Sequence, residues 1–137
     1  MTGRFLTPLC TQDLPGNRWL LLAPLVYETA AGELIVVPAG FVCDLTSWCV
    51  TDDGDWGAAV HDFLYKHPVV NGRPIDRGRA DAIYREALNA PLIDERGRQV
   101  PPQLNRARRF GRWLGVRTAG FFAWHGHRRA ERAEAFS

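Results

Sequence analysis

Apolar residues in the first forty positions come in short runs, and only after residue 55 do they recur with a helical period. Residues 18–22 (Arg-Trp-Leu-Leu-Leu), 25–29 (Leu-Val-Tyr-Glu-Thr) and 33–37 (Glu-Leu-Ile-Val-Val) combine aliphatic, β-branched and aromatic side chains in stretches too short for helices. They predict two or three antiparallel strands. Ala31 and Gly32 lead into the last run as the returning arm of a hairpin. Pro15, Gly16 and Asn17 form a turn ahead of the first run, and Pro24 implies an edge or a break, because proline cannot donate to a ladder.

Residues 41–55 carry small, polar and acidic groups and end in Asp52, Asp53, Gly54 and Asp55, which suit a turn and a helix cap. A loop of this length in a small domain is a place to look for function. From Trp56 the residues Ala59, Val60, Phe63 and Leu64 follow at helical spacing, with Asp55 placed to cap and Pro68 to stop. A helix over 56–67 is expected. Residues 68–75 read as a loop with turn chemistry at Asn71 and Gly72. A second helix is expected at 77–90, where Ala80, Ile83, Tyr84, Ala87 and Leu88 make one stripe and Pro91 ends it. Pro101 and Pro102 precede a third, over 103–131, with Leu104, Ala107, Phe110, Leu114 and Phe121 roughly on one face.

Strands first and helices after make the class α+β, an N-terminal antiparallel β-hairpin or small sheet followed by three α-helices. The chain is expected to form one domain, 1–137, with a β region at 1–40, a loop at 41–55, a helical pair at 56–90 and a basic, aromatic helix at 103–131.

Composition narrows the class. With 137 residues, 46% hydrophobic and 23% charged, the chain is neither disordered nor fibrous and can bury a core without staples. The net charge of +2 conceals a split: residues 1–97 hold eight basic and thirteen acidic side chains, whereas 98–137 hold nine and two. A basic end of this kind either seeks phosphates, of nucleic acid or lipid, or docks on the acidic body. Arg112, Trp113 and Arg117, with Phe121, Phe122 and Trp124, alternate bases and aromatics as helices lying on anionic lipid do. An anionic lipid surface is the partner this suggests, with nucleic acid a weaker alternative. No stretch is long and apolar enough to span a bilayer, and no secretory pattern opens the chain, so synthesis in the cytosol is expected. Cys10, Cys43 and Cys49 are odd in number and poorly spaced for zinc, and the expectation is buried thiols without a disulfide framework.

The candidate chemistry lies at His61 and Asp62. Adjacent helical residues point about 100° apart, so the two must have different tasks. His61 shares a face with Tyr65, and an antiparallel second helix can bring Asp81 against one imidazole nitrogen, leaving the other to take a proton from water. Asp62 would then face the long loop, where carbonyls near Gly40 and the Asp44 carboxylate can enclose Ca²⁺. That arrangement describes a metal-assisted hydrolase and needs the imidazole open to solvent. The plainer alternative is a satisfied core histidine, with Asp62 paired to an arginine such as Arg79. His-Asp phosphohydrolase chemistry is disfavoured because no histidine precedes His61, and a Cys43 or Cys49 nucleophile because nothing local lowers a thiol pKa. His125 and His127 suggest adventitious metal binding at most.

Three ordered motifs carry a resemblance: residues 37–44 (Val-Pro-Ala-Gly-Phe-Val-Cys-Asp) with Ser47, residues 61–65 (His-Asp-Phe-Leu-Tyr), and Ala80-Asp81 with Tyr84, Ala87 and Leu88. They are similar to a family of small phage and prophage proteins of unknown function. The resemblance implies a phage origin, synthesis in the host cytoplasm, and a place in the virion or at the cell envelope, with virion proteins as partners. More distantly, residues 61–65 and 79–84 resemble the catalytic helices of the phospholipase A2 superfamily. That likeness implies His61 as the base, Asp81 as its orienting partner, Asp62 as a calcium ligand and Gly40 as part of the carbonyl loop. A site with so few ligands would hold calcium at an affinity of the order of 10⁻⁴–10⁻³ M, fitting an envelope or extracellular setting.

Overall fold

The computed structural model describes residues 2–16, 18–43 and 55–135. Its class is the expected one, small antiparallel sheets followed by three helices. Strands β1 (Arg4–Phe5), β2 (Thr11–Leu14), β3 (Arg18–Leu21), β4 (Leu25–Glu28), β5 (Leu34–Val37) and β6 (Val42–Cys43) come first. Helix α1 (Gly57–Lys66) follows, then the hairpin of β7 (Val69–Val70) and β8 (Arg73–Pro74), helix α2 (Arg77–Leu88), the hairpin of β9 (Leu92–Ile93) and β10 (Gln99–Val100), and helix α3 (Arg106–Ala135).

The six N-terminal strands form two sheets rather than one, in the orders β1-β4-β5 and β2-β3-β6. The break falls at Pro24, between β3 and β4. Within the β4–β5 hairpin Leu25 lies opposite Val37 and Tyr27 opposite Ile35, and all four are buried, so the alternation of the sequence becomes one apolar sheet face. Gly32, at φ +85°, occupies the turn. The loop expected at 68–75 contains a two-residue hairpin, with Asn71 and Gly72 both at positive φ.

Helix α1 is wrapped on several sides, and Gly57, Ala58, Ala59, Val60, His61, Asp62, Leu64 and Tyr65 are all buried. Small residues make the wrapping possible. A Cβ on Gly57 would stand 3.2 Å from that of Ala87 and 3.3 Å from the Tyr84 ring, and one on Gly120 would collide with the Tyr65 hydroxyl. A side chain receives an amide at the start of each helix: Asp55 Oδ1 accepts from the Ala58 amide, Asp76 Oδ1 from Arg79 and Asn105 Oδ1 from Arg108.

Two expectations are corrected. Phe110, Leu114 and Phe121 are 55%, 43% and 48% exposed, so the stripe on α3 faces outward; Val116 and Trp124 make the buried face, with Gly120 closing on Tyr65. Cys43 is disulfide-bonded, and the free cysteine among the described residues, Cys10, is exposed. Helix α3 also runs on to Ala135, past the expected end at 131, and carries His125 and His127.

Candidate functional site

The site is a chain of buried polar groups linking the three helices. His61 Nε2 lies 2.9 Å from Asp81 Oδ1, and the Tyr65 hydroxyl donates to the same oxygen at 2.7 Å. The i, i+4 spacing on α1 sets the imidazole and the phenol on one face, and α2 crosses that face with Asp81 inward. The expected juxtaposition of His61, Tyr65 and Asp81 is thus present. Asp81 Oδ2 accepts from Arg117 at 2.8 Å and from Arg77 at 3.4 Å. Tyr84 stacks on the other side of the imidazole, its ring centroid 4.7 Å away, and that of Tyr65 is at 4.2 Å.

A second carboxylate repeats the pattern. Asp55 Oδ2 accepts from the Tyr84 hydroxyl at 2.7 Å and from Arg112 at 2.8 Å, while its Oδ1 receives the Ala58 amide. Each buried acid therefore binds one tyrosine from α1 or α2 and one arginine from α3. Arg112 and Arg117, expected on a lipid-facing surface, instead reach these acids. Trp113 is half-buried beneath the Arg85 guanidinium, 4.5 Å from its ring centroid.

Protonation follows from burial and donors. Burial opposes charge on Asp81, but hydrogen bonds from His61, Tyr65 and Arg117 outweigh it and hold the carboxyl below the usual range. Burial pushes His61 down despite Asp81, so the ring is neutral at pH 7. An ionised Asp81 only accepts, so the proton of the neutral imidazole sits on Nε2. Nδ1 is left as an acceptor, buried and without a hydrogen-bond partner. Burial raises Asp55 in spite of Arg112 and Tyr84, and raises the Tyr65 phenol, which stays protonated. The imidazole is only 2% exposed.

Of the residues expected to hold calcium, Asp62 and Gly40 lie among the described ones. Asp62 is fully buried, and Lys66 Nζ stands 3.4 Å from its Oδ2 and 3.3 Å from the Val42 carbonyl, 5.3 Å from the Phe41 ring centroid. A tethered ammonium thus engages both ligand types a cation would need there. The Gly40 amide is engaged with the Leu21 carbonyl at 2.8 Å. Asp44, Ser47 and Cys49 lie outside the described residues. Among the described residues no group of three or more His, Cys, Asp or Glu side chains is arranged to hold a metal. Arg79, the suggested partner of Asp62, pairs with Glu33 at 2.6 Å.

Sequence reasoning missed the part played by Asp55, read only as a cap, and by Lys66 and Arg77. The split of charge between the two ends was the available signal, since it included docking of the basic end on the acidic body.

A family profile decides the affiliation, matching residues 19–100 from within β3 to the end of β10. The chain belongs to the family described as "Protein of unknown function (DUF1353)". The match includes His61, Asp62, Tyr65, Asp81 and Tyr84 and ends before α3. No curated protein and no solved structure matches the chain.

Proposed function

We propose that the protein is a non-enzymatic binding module, a phage accessory protein whose buried His61–Asp81 network fastens α3 to the body so that this helix can present its outer face. One observation carries the reading: the two buried carboxylates at the centre of the site each take an arginine from α3, and the imidazole between them is closed to solvent. A hydrolytic base needs access to water and substrate; a brace needs only burial and the bond through Nε2 to Asp81. The likeness of the three motifs to phage and prophage proteins supports action during infection, in the virion or on a host factor.

A second reading, a phospholipase A2-like hydrolase, is favoured by one specific feature. His61 Nε2 is anchored while Nδ1 is an unpartnered acceptor, the disposition of a general base awaiting a water. In that reading His61 is the base, Asp81 and Tyr65 orient it, and calcium at Asp62 would require Lys66 to move away.

His61→Gln separates the two. The binding module loses thermal stability and shows no ester hydrolysis before or after the change, with millimolar calcium present. Turnover of short-chain phospholipid by the wild type, abolished in a variant that melts at the same temperature, would overturn it.

A further inference from the structure

Two cavities of about 530 and 410 Å³ run along the seam between α2 and α3. They share Arg85, Asn89 and Trp113 and so form one groove. Arg79, Arg85, Arg106, Arg109 and Arg117 line it, against a single carboxylate, Glu86. Three of these cations are engaged within the fold. Arg79 pairs with Glu33 at 2.6 Å, Arg117 with Asp81 at 2.8 Å, and Arg109 Nε donates to Asn89 Oδ1 at 2.8 Å. Arg85 lies over Trp113, and neither Arg85 nor Arg106 has a carboxylate partner among the described residues. Glu86 Oε1 is occupied by the Tyr27 hydroxyl at 2.6 Å and the Ala30 amide at 2.7 Å. A concave surface with unbalanced positive charge focuses its field on anions, and its size suits a phosphate-bearing group.

An independent feature says what the rest of that ligand is. Phe110, Leu114, Phe121 and Phe122 are exposed on α3, Phe122 at 77%, and Phe110 is also part of the groove wall. Arg106, Arg108, Arg129 and Arg132 are exposed on the same helix. A second copy packed face to face would bring like charge against this face. Nucleic acid would satisfy the arginines but offer nothing to an aliphatic Leu114. Apolar side chains between surface arginines match the boundary between headgroups and acyl chains.

We infer that the α2–α3 groove is a headgroup-phosphate site, and that α3 docks on anionic phospholipid with Phe110, Leu114, Phe121 and Phe122 entering the acyl boundary. No helix among the described residues is long and apolar enough to cross a membrane, so the contact is with the surface. The inference gives the binding-module reading its partner and does not involve His61, so vesicle binding and the hydrolysis assay fail separately.

The test is flotation with phosphatidylcholine vesicles with and without phosphatidylglycerol, at rising salt. The wild type floats only with the anionic lipid and is released by salt. Arg85→Gln with Arg106→Gln lowers partitioning about tenfold or more, and Phe122→Ser lowers it about tenfold with the circular-dichroism spectrum unchanged. Equal flotation on phosphatidylcholine alone, no flotation at all, or partitioning indifferent to both variants overturns the inference. So does Arg85-dependent binding of inorganic phosphate without vesicle binding, or displacement from vesicles by duplex DNA that the protein binds more tightly.

Discussion

Asp55 and Asp81 occupy matching stations beneath α3 yet have their pKa values shifted in opposite directions. Each is buried and takes one tyrosine hydroxyl and one α3 arginine. Asp55 spends its other oxygen on a backbone amide at the start of α1, and burial wins, raising its pKa. Asp81 adds His61 and Arg77, and the donors win, lowering it. Burial alone therefore does not decide the state of a carboxylate; the number and charge of its donors do. The difference also assigns different tasks. Asp81 is a charged hub joining α1, α2 and α3, whereas Asp55 is a capping acid that one arginine keeps paired.

The largest loss is expected at the hub. Asp81→Ala leaves the imidazole N–H, a phenol and Arg117 without their acceptor, and a loss of about 3–5 kcal/mol is expected by chemical denaturation. Arg112→Ala strips Asp55 of its cation and should cost about 2–4 kcal/mol at pH 8. That cost shrinks as the pH falls, because a carboxyl whose pKa is already raised takes a proton instead; a loss independent of pH would contradict the difference between the two acids. Arg117→Ala should cost only about 1 kcal/mol, since its side chain is 41% exposed and Asp81 keeps three other donors.

Titration probes the hub through His61 and Asp81. His61 is depressed below its ordinary 6.5, so the unfolded chain binds the extra proton first. Its contribution is present above that value and is lost as the pH falls toward the lower folded pKa. Asp81, depressed below 3.8, contributes stability above that value that disappears on further acidification through its folded pKa. His61's share of the unfolding free energy should thus decline as the pH falls below 6.5, against an opposite contribution from the raised Asp55, and His61→Gln should remove that share from the pH profile; an unchanged profile would place the titration elsewhere. The smallest effect is expected on the outer face of α3, where Phe122→Ser should move stability by no more than about 0.5 kcal/mol while weakening vesicle binding.

Local signals read correctly where the chemistry was local. The hairpin at Gly32 and the helix end before Pro68 depend on neighbours within a few residues, and the structure has both. Strand β2 (Thr-Gln-Asp-Leu) was not anticipated because it is polar, and it exists only through pairing with β3. The Arg112 and Arg117 contacts were equally hidden. They join residues 57 and 36 positions apart, and nothing in an arginine's sequence neighbours tells whether it meets lipid or a buried acid.

Periodicity and turn chemistry were enough for the class, the three helices and the facing of His61 with Tyr65, because these follow from backbone geometry over one or two turns. Which side of α3 is buried, the place of Lys66 beside Asp62 and the sealing of the imidazole were settled only by packing between distant elements. Those outcomes depend on which distant charges can be desolvated together. A long helix carrying aromatics and arginines on both sides has no internal preference between its faces until two buried acids choose one.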